Sequence, residues 1–225
     1  GSSRFLQGVA EDTIILTGLP QDRVTVVRNP VITPRLLRLA REPVAHPWFT
    51  DQGPPIILGA GRLTRQKDFP TLLRAFAAVR RERPARLMIL GAGKQQAALQ
   101  AQATHLGIAD TLTLPGFTDN PYAYMAKAAV FALSSLWEGS PNVLTEALAL
   151  GTPVVATDCP SGPREILQEG RFGPLVPVGD AAALSQAIVQ MLDNPPDPDV
   201  LRAAVHEYDL DYSVNGYLRA LNLAA

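Results

Sequence analysis

From Pro55 onward, short apolar runs alternate with amphipathic stretches, and this alternation restricts the chain to few architectures. Ile56 to Ala60, Arg86 to Leu90, Thr111 to Leu114, Val130 to Leu133, 153–157 and 174–177 read as strands. Pro70 to Arg81, Lys94 to Leu106, Tyr122 to Lys127, 141–150, 163–169 and 180–192 read as the helices between and after them. In the first helix Leu72, Leu73, Phe76 and Val79 share one face at helical spacing. Strands apolar along their whole length, each followed by a helix, form a parallel sheet covered on both faces. Right-handed crossovers make it doubly wound. The expected fold is therefore α/β, Rossmann-like, with its ligand site outside the carboxyl ends of the strands. The loops at 61–69, 91–94, 115–121, 134–141 and 157–163 then meet on one edge although they are distant in sequence.

The flanks are less regular. Residues 3–23 read as a helix-turn lead-in with Val9, Ile14, Ile15 and Leu16 apolar, closed by Gly18-Leu19-Pro20, and Val24 to Val27 reads as a strand. Residues 33–55 form a Pro- and Arg-rich connector with a short helix near Leu36–Ala40 and an apolar plug at His46-Pro47-Trp48-Phe49. Helices at about 198–207 and 212–223 close the chain. Gly1-Ser2 reads as a tag remnant.

Composition excludes several classes. A formal net charge of −1 leaves no electrostatic footprint for nucleic acid. The single cysteine, Cys159, allows no intramolecular disulfide and suits a reducing, cytoplasmic setting. No run approaches the ~20 apolar residues that span a bilayer. His105 and His206 stand on helices without partners at metal-ligand spacing, so no metal site is expected. Gly91-Ala92-Gly93-Lys94 lacks both the P-loop spacing and a third glycine, and reads as a tight turn near the ligand.

Two of the converging loops carry charges suited to a phosphorylated, hydroxylated ligand. After the strand ending at Leu133 comes Ser134-Ser135-Leu136-Trp137-Glu138-Gly139-Ser140-Pro141-Asn142-Val143-Leu144-Thr145-Glu146. Ser140 is a suitable N-cap and Pro141 suits the first helical position. Val143, Leu144, Ala147 and Leu148 fall on one face, and Gly151 ends the helix. A helix start favours an anion through its unpaired N–H groups and dipole, and Glu138 and Glu146 frame this one. The other loop reads Gly61-Arg62-Leu63-Thr64-Arg65-Gln66-Lys67-Asp68. Its glycine permits a tight turn at the strand end. Arg62 offers a rigid fork and Lys67 a mobile point charge to phosphate oxygens. Arg65 reads as solvated. On spacing alone, Glu138 and Glu146 could equally be surface residues, and residues placed like Arg62 and Lys67 are more often surface charges than ligand contacts.

Glu138 and Glu146, seven residues apart, with Gly139, Pro141-Asn142 and Ala147 between and beside them, resemble the E-x7-E signature of retaining GT-B glycosyltransferases, especially glycosyltransferase family 4 (GT4). Gly151-Thr152-Pro153-Val154-Val155-Ala156-Thr157-Asp158 and Cys159 to Ile166 resemble the same family. The first loop is similar to its G-R-L-x-x-x-K-G-x-D motif, with Asp68 where the family usually has glycine. Asn29-Pro30-Val31 resembles the junction where the second GT-B domain begins.

The resemblance implies the donor-binding half of an enzyme that moves a sugar from a nucleotide diphosphate to an acceptor with retention of configuration. It implies no cofactor and no required metal ion, only a UDP- or GDP-linked donor. Arg62 and Lys67 would hold the diphosphate and Glu138 the donor sugar, these three being the catalytic candidates. Glu146 would take the ribose hydroxyls. Gly61, Phe117, Thr118, Gly139, Ser140, Pro141, Asn142, Val143 and Leu144 would complete the substrate-binding set, with Phe117 and Thr118 near the base. Tyr122, Tyr124 and Met125 read as core or a packing lip.

The implied domain plan is a lead-in from the preceding domain at 1–23, the donor domain at 24–208 and a crossover helix at 209–225. The partners would be the nucleotide sugar, an N-terminal acceptor domain outside this sequence, and a saccharide or lipid-linked saccharide. Any contact with the cytoplasmic membrane face would run through that other domain. Two alternatives share the motifs: a GT-B epimerase or phosphorylase, and a regulatory subunit that binds nucleotide sugar without turning it over.

Overall fold

The computed structural model describes residues 14–160, 162–221 and 223. Six strands form one sheet in the order β3-β2-β1-β4-β5-β6. They are β1 (Ile56–Ala60), β2 (Arg86–Leu90), β3 (Leu112–Gly116), β4 (Val130–Leu133), β5 (Val154–Thr157) and β6 (Leu175–Val176). Every adjacent pair is parallel. The order reverses between β1 and β4, the switch point beyond whose carboxyl strand ends sheets of this kind bind their ligands.

The reason for continuous apolar strands is visible in the core, which is split by the sheet. On one face Ile57, Leu87, Ile89, Val130, Ala132 and Val155 pack under the helices Phe69–Glu82, Gln96–His105 and Ala181–Asp193. On the other, Leu58, Met88, Leu90, Phe131, Leu133 and Val154 meet Met125, Leu144, Leu148, Ile166 and Leu201 from the helices Pro121–Met125, Asn142–Ala149, Pro163–Ile166 and Pro198–Ala204. Successive residues alternate between the two clusters, as period-2 geometry requires. Leu72, Leu73, Phe76 and Val79 are all fully buried. Each side chain of this kind contributes about 1.5–3 kcal/mol on leaving water.

Several expectations need correction. Val24 to Val27 pairs with no strand among the described residues. A valine-rich run fits a half-buried surface of any kind, and this one lies against the closing helix, Leu210–Ala220. There a Cβ on Gly216 would stand 2.9 Å from Val27 Cγ1. Helix 163–169 stops at Ile166, because Gln168 and Glu169 adopt left-handed φ of 47° and 59°. The stretch at 198–207 divides into Pro198–Ala204 and a 3-10 turn at His206–Tyr208. Of the lead-in, residues 3–13 lie outside the described residues, and 14–17 are helical. The connector helix spans Pro34–Leu39, and the plug packs as expected, with the Phe49 and Tyr124 rings edge to face at 5.5 Å.

Candidate functional site

The loops after β1 and β4 meet at this switch point and are joined to each other by four hydrogen bonds. The Leu136 N–H donates to the Gln66 carbonyl at 2.8 Å, and Gln66 Nε2 donates to the Trp137 carbonyl at 3.0 Å. Ser134 Oγ donates to the Lys67 carbonyl at 2.7 Å. Lys67 Nζ donates to Glu138 Oε1 at 2.6 Å, and Ser135 Oγ donates to the same oxygen at 2.5 Å from within the β4 loop. Thr157 Oγ1, at the end of β5, donates to the Ser135 carbonyl at 2.6 Å. The Glu138 N–H reaches the Pro160 carbonyl at 3.3 Å. Three strand ends are thereby tied around one carboxylate.

The β1 loop is held from its other side by the glycine turn after β2. A Cβ on Gly91, where φ is +134°, would lie 1.9 Å from the Gly61 carbonyl oxygen, and one on Gly93 would lie 2.4 Å from that of Leu63. Gly61, with φ +151°, leaves room for the Lys67 stem, whose Cε would stand 2.9 Å from a Cβ there. Asp68 takes a left-handed φ of 43°, the conformation for which glycine is favoured. Its carboxylate accepts a hydrogen bond from Thr71 Oγ1 at 2.5 Å, a local bond of the kind that lets aspartate occupy this region.

The remaining predicted residues fall as follows. Arg62 and Arg65 are exposed, and neither forms an ion pair among the described residues. Gly139, Ser140 and Asn142 are exposed, whereas Pro141 and Leu144 are buried and Val143 is half-buried. Leu144 belongs to the core cluster, so only its backbone could meet a ligand. Ser140 does not cap the helix: Pro141 occupies the cap position without a side-chain bond, and Ser140 Oγ donates instead to Asn142 Oδ1 at 3.4 Å. Gly162 packs on Pro141, where a Cβ would lie 2.3 Å from Pro141 Cδ. Phe117, just beyond β3, is 75% exposed, and Thr118 is half-buried. Cys159 is buried, and burial pushes its thiol pKa up.

Glu146 lies half-buried on the inner side of its helix, and burial raises its carboxyl above the usual range, a shift partly offset by a hydrogen bond from Tyr122 OH at 3.5 Å. Sequence reading missed this tyrosine, which stands 24 residues away on another helix. It also missed Ser135, three residues before Glu138, which as a serine at a strand end carried no distinguishing signal.

The Glu146 shift has a testable sign. A carboxyl that holds its proton more tightly when folded destabilises the native state as pH rises from the ordinary glutamate value through the raised one. Glu146→Gln should therefore melt higher than wild type at neutral pH, with the gain vanishing in acid. Melting curves across that range check it, and a pH-independent difference would contradict it.

The sequence model of the family described as "Glycosyl transferases group 1" matches residues 54–194, so the chain belongs to that family. A relative in Campylobacter jejuni is 40% identical over 148 residues, covering 66% of this chain and 39% of its own length. It is named N-acetylgalactosamine-N,N'-diacetylbacillosaminyl-diphospho-undecaprenol 4-alpha-N-acetylgalactosaminyltransferase. The chain thus spans about two fifths of that relative's length. Among solved structures, the lipopolysaccharide outer core galactosyltransferase WaaB in its apo form superposes with a TM-score of 0.77 at 23% identity, over 96% of this chain and 59% of that one. Anabaena Alr3699/HepE in complex with UDP superposes with a TM-score of 0.75 at 19% identity, over 95% and 61% respectively. These likenesses agree with the doubly wound fold expected from sequence.

Proposed function

We propose that this chain is the donor-binding half of a retaining glycosyltransferase that takes a sugar from a nucleotide-diphosphate sugar. The observation that carries the reading is the Lys67–Glu138 contact at 2.6 Å, which brings the two motif loops together at the strand-order switch of a family domain. As the glycosidic bond breaks, negative charge grows on the leaving diphosphate. Arg62, Lys67 and the uncapped start of the Asn142–Ala149 helix would meet that charge, a role most useful in the transition state. Glu138 would accept from donor-sugar hydroxyls, Glu146 from the ribose, and Phe117 with Thr118 would lie beside the base. UDP is the first nucleotide to test, because solved relatives of this fold were captured with UDP and with UDP plus glucose.

The acceptor would be held by a further domain. Ile15, Leu16, Tyr212, Val214, Tyr217 and Leu221 expose large apolar surface on the lead-in and the closing helix, which suits a covering partner. The chain alone is accordingly expected to bind nucleotide and transfer sugar poorly. A thermal-shift panel of UDP, GDP and ADP sugars tests the reading. The matching donor at 100 times its dissociation constant should add about 2.7 kcal/mol of stability. A panel without any shift would refute it.

A further inference from the structure

We infer that Glu138 has a second duty: it competes with a bound diphosphate for Lys67, so that the site prefers a sugar-bearing nucleotide to a bare diphosphate. The inference rests on the donor-site reading above.

The pair is largely withdrawn from water, the Lys67 side chain being 14% exposed and that of Glu138 6%. Both backbones are fixed, Lys67 through its carbonyl to Ser134 and Glu138 through its N–H to Pro160. Any exchange of partners must therefore be made by the flexible lysine stem, which presents its charge on rotatable bonds.

Drawing Lys67 toward a phosphate leaves a buried carboxylate without its countercharge, and beside an incoming anion. Such a group is costly unless other donors reach it. Ser135 still holds Oε1, the same oxygen that Lys67 contacts, which leaves Oε2 open to a ligand. A donor sugar supplies hydroxyls to that second oxygen, whereas pyrophosphate or a spent nucleotide diphosphate supplies none. The same carboxylate therefore tolerates the substrate, then reclaims Lys67 once the sugar has gone and helps expel the product. Glu138 is thus a specificity determinant, and Ser135 a positioning residue that keeps it aimed while Lys67 is away.

Inorganic pyrophosphate, which carries neither base nor sugar, is the direct probe. Calorimetric titration of this chain should show Glu138→Gln binding pyrophosphate roughly tenfold tighter than wild type. Glu138→Asp keeps the charge but retracts it by one methylene, and should bind about threefold tighter. If both variants stay within twofold of wild type, or if only Glu138→Gln gains, the pairing is not what opposes the anion and the inference is overturned. If pyrophosphate binds none of the three proteins, the donor-site reading falls as well. A measurement without variants guards against misfolding: the Lys67 Nζ resonance of the wild-type chain should move on adding pyrophosphate, and an unmoved signal at saturation overturns the inference alone.

Discussion

On the proposed reading, Arg62→Ala in an active enzyme carrying this domain is expected to slow sugar transfer by about 10²–10³, the usual loss when one preorganised electrostatic donor is removed from a reacting centre. The expectation is sharp because Arg62 is exposed and forms no ion pair among the described residues. Its removal should leave stability within about 0.5 kcal/mol, as for other surface changes, so a lost rate cannot be charged to unfolding. Arg62→Lys should recover only part of the activity, since a point charge replaces a planar fork. Steady-state assays paired with melting curves measure both quantities. A turnover within about threefold of wild type would remove Arg62 from the group that meets the leaving diphosphate.

The second large effect is structural. Gly91→Ala puts a methyl group 1.9 Å from the Gly61 carbonyl oxygen at a φ of +134° that a side chain rarely accepts. Backbone strain and overpacking together should cost roughly 3–5 kcal/mol, which for a domain of this size lowers the melting temperature by about 10 °C. Urea or thermal unfolding measures it. Because the turn after β2 supports the loop that carries Arg62 and Lys67, nucleotide binding should weaken even where the variant is still folded. An unchanged unfolding midpoint would mean that the two loops are not packed as described.

Much of this arrangement was legible in the residues because it follows from periodicity and spacing. β2 and β4 match the expected bounds residue for residue, and the fully buried Leu72, Leu73, Phe76 and Val79 are those that helical spacing selected. Apolar pattern is a direct imprint of burial, so it survives in sequence. What failed was decided by neighbours. Val24 to Val27 has strand-like chemistry but found a helix to lie against, and the helix from Pro163 ended where Gln168 and Glu169 turn left-handed. In the site, the charges on Arg62, Lys67, Glu138 and Glu146 were visible as motif positions. The bonds from Ser135 and Tyr122 were not, because Ser135 looks like any strand-end serine and Tyr122 belongs to a different helix. Asp68 is instructive in the other direction. As an aspartate at a glycine position it read as a departure, yet its left-handed backbone and bond to Thr71 show how a side chain can hold the same turn.

The strand order also sets distances along the open edge. Neighbouring strands lie about 4.8 Å apart, so the loop after β3, with its exposed Phe117, starts roughly 10 Å to one side of the Lys67–Glu138 pair, while the loop after β5 begins one strand away on the other. On the proposed reading, a donor stretched along this edge would be gauged at separate stations, each borne on its own loop. Grafting 115–121 from one relative to another should therefore change what is accepted at one extremity while leaving the charged centre as it was.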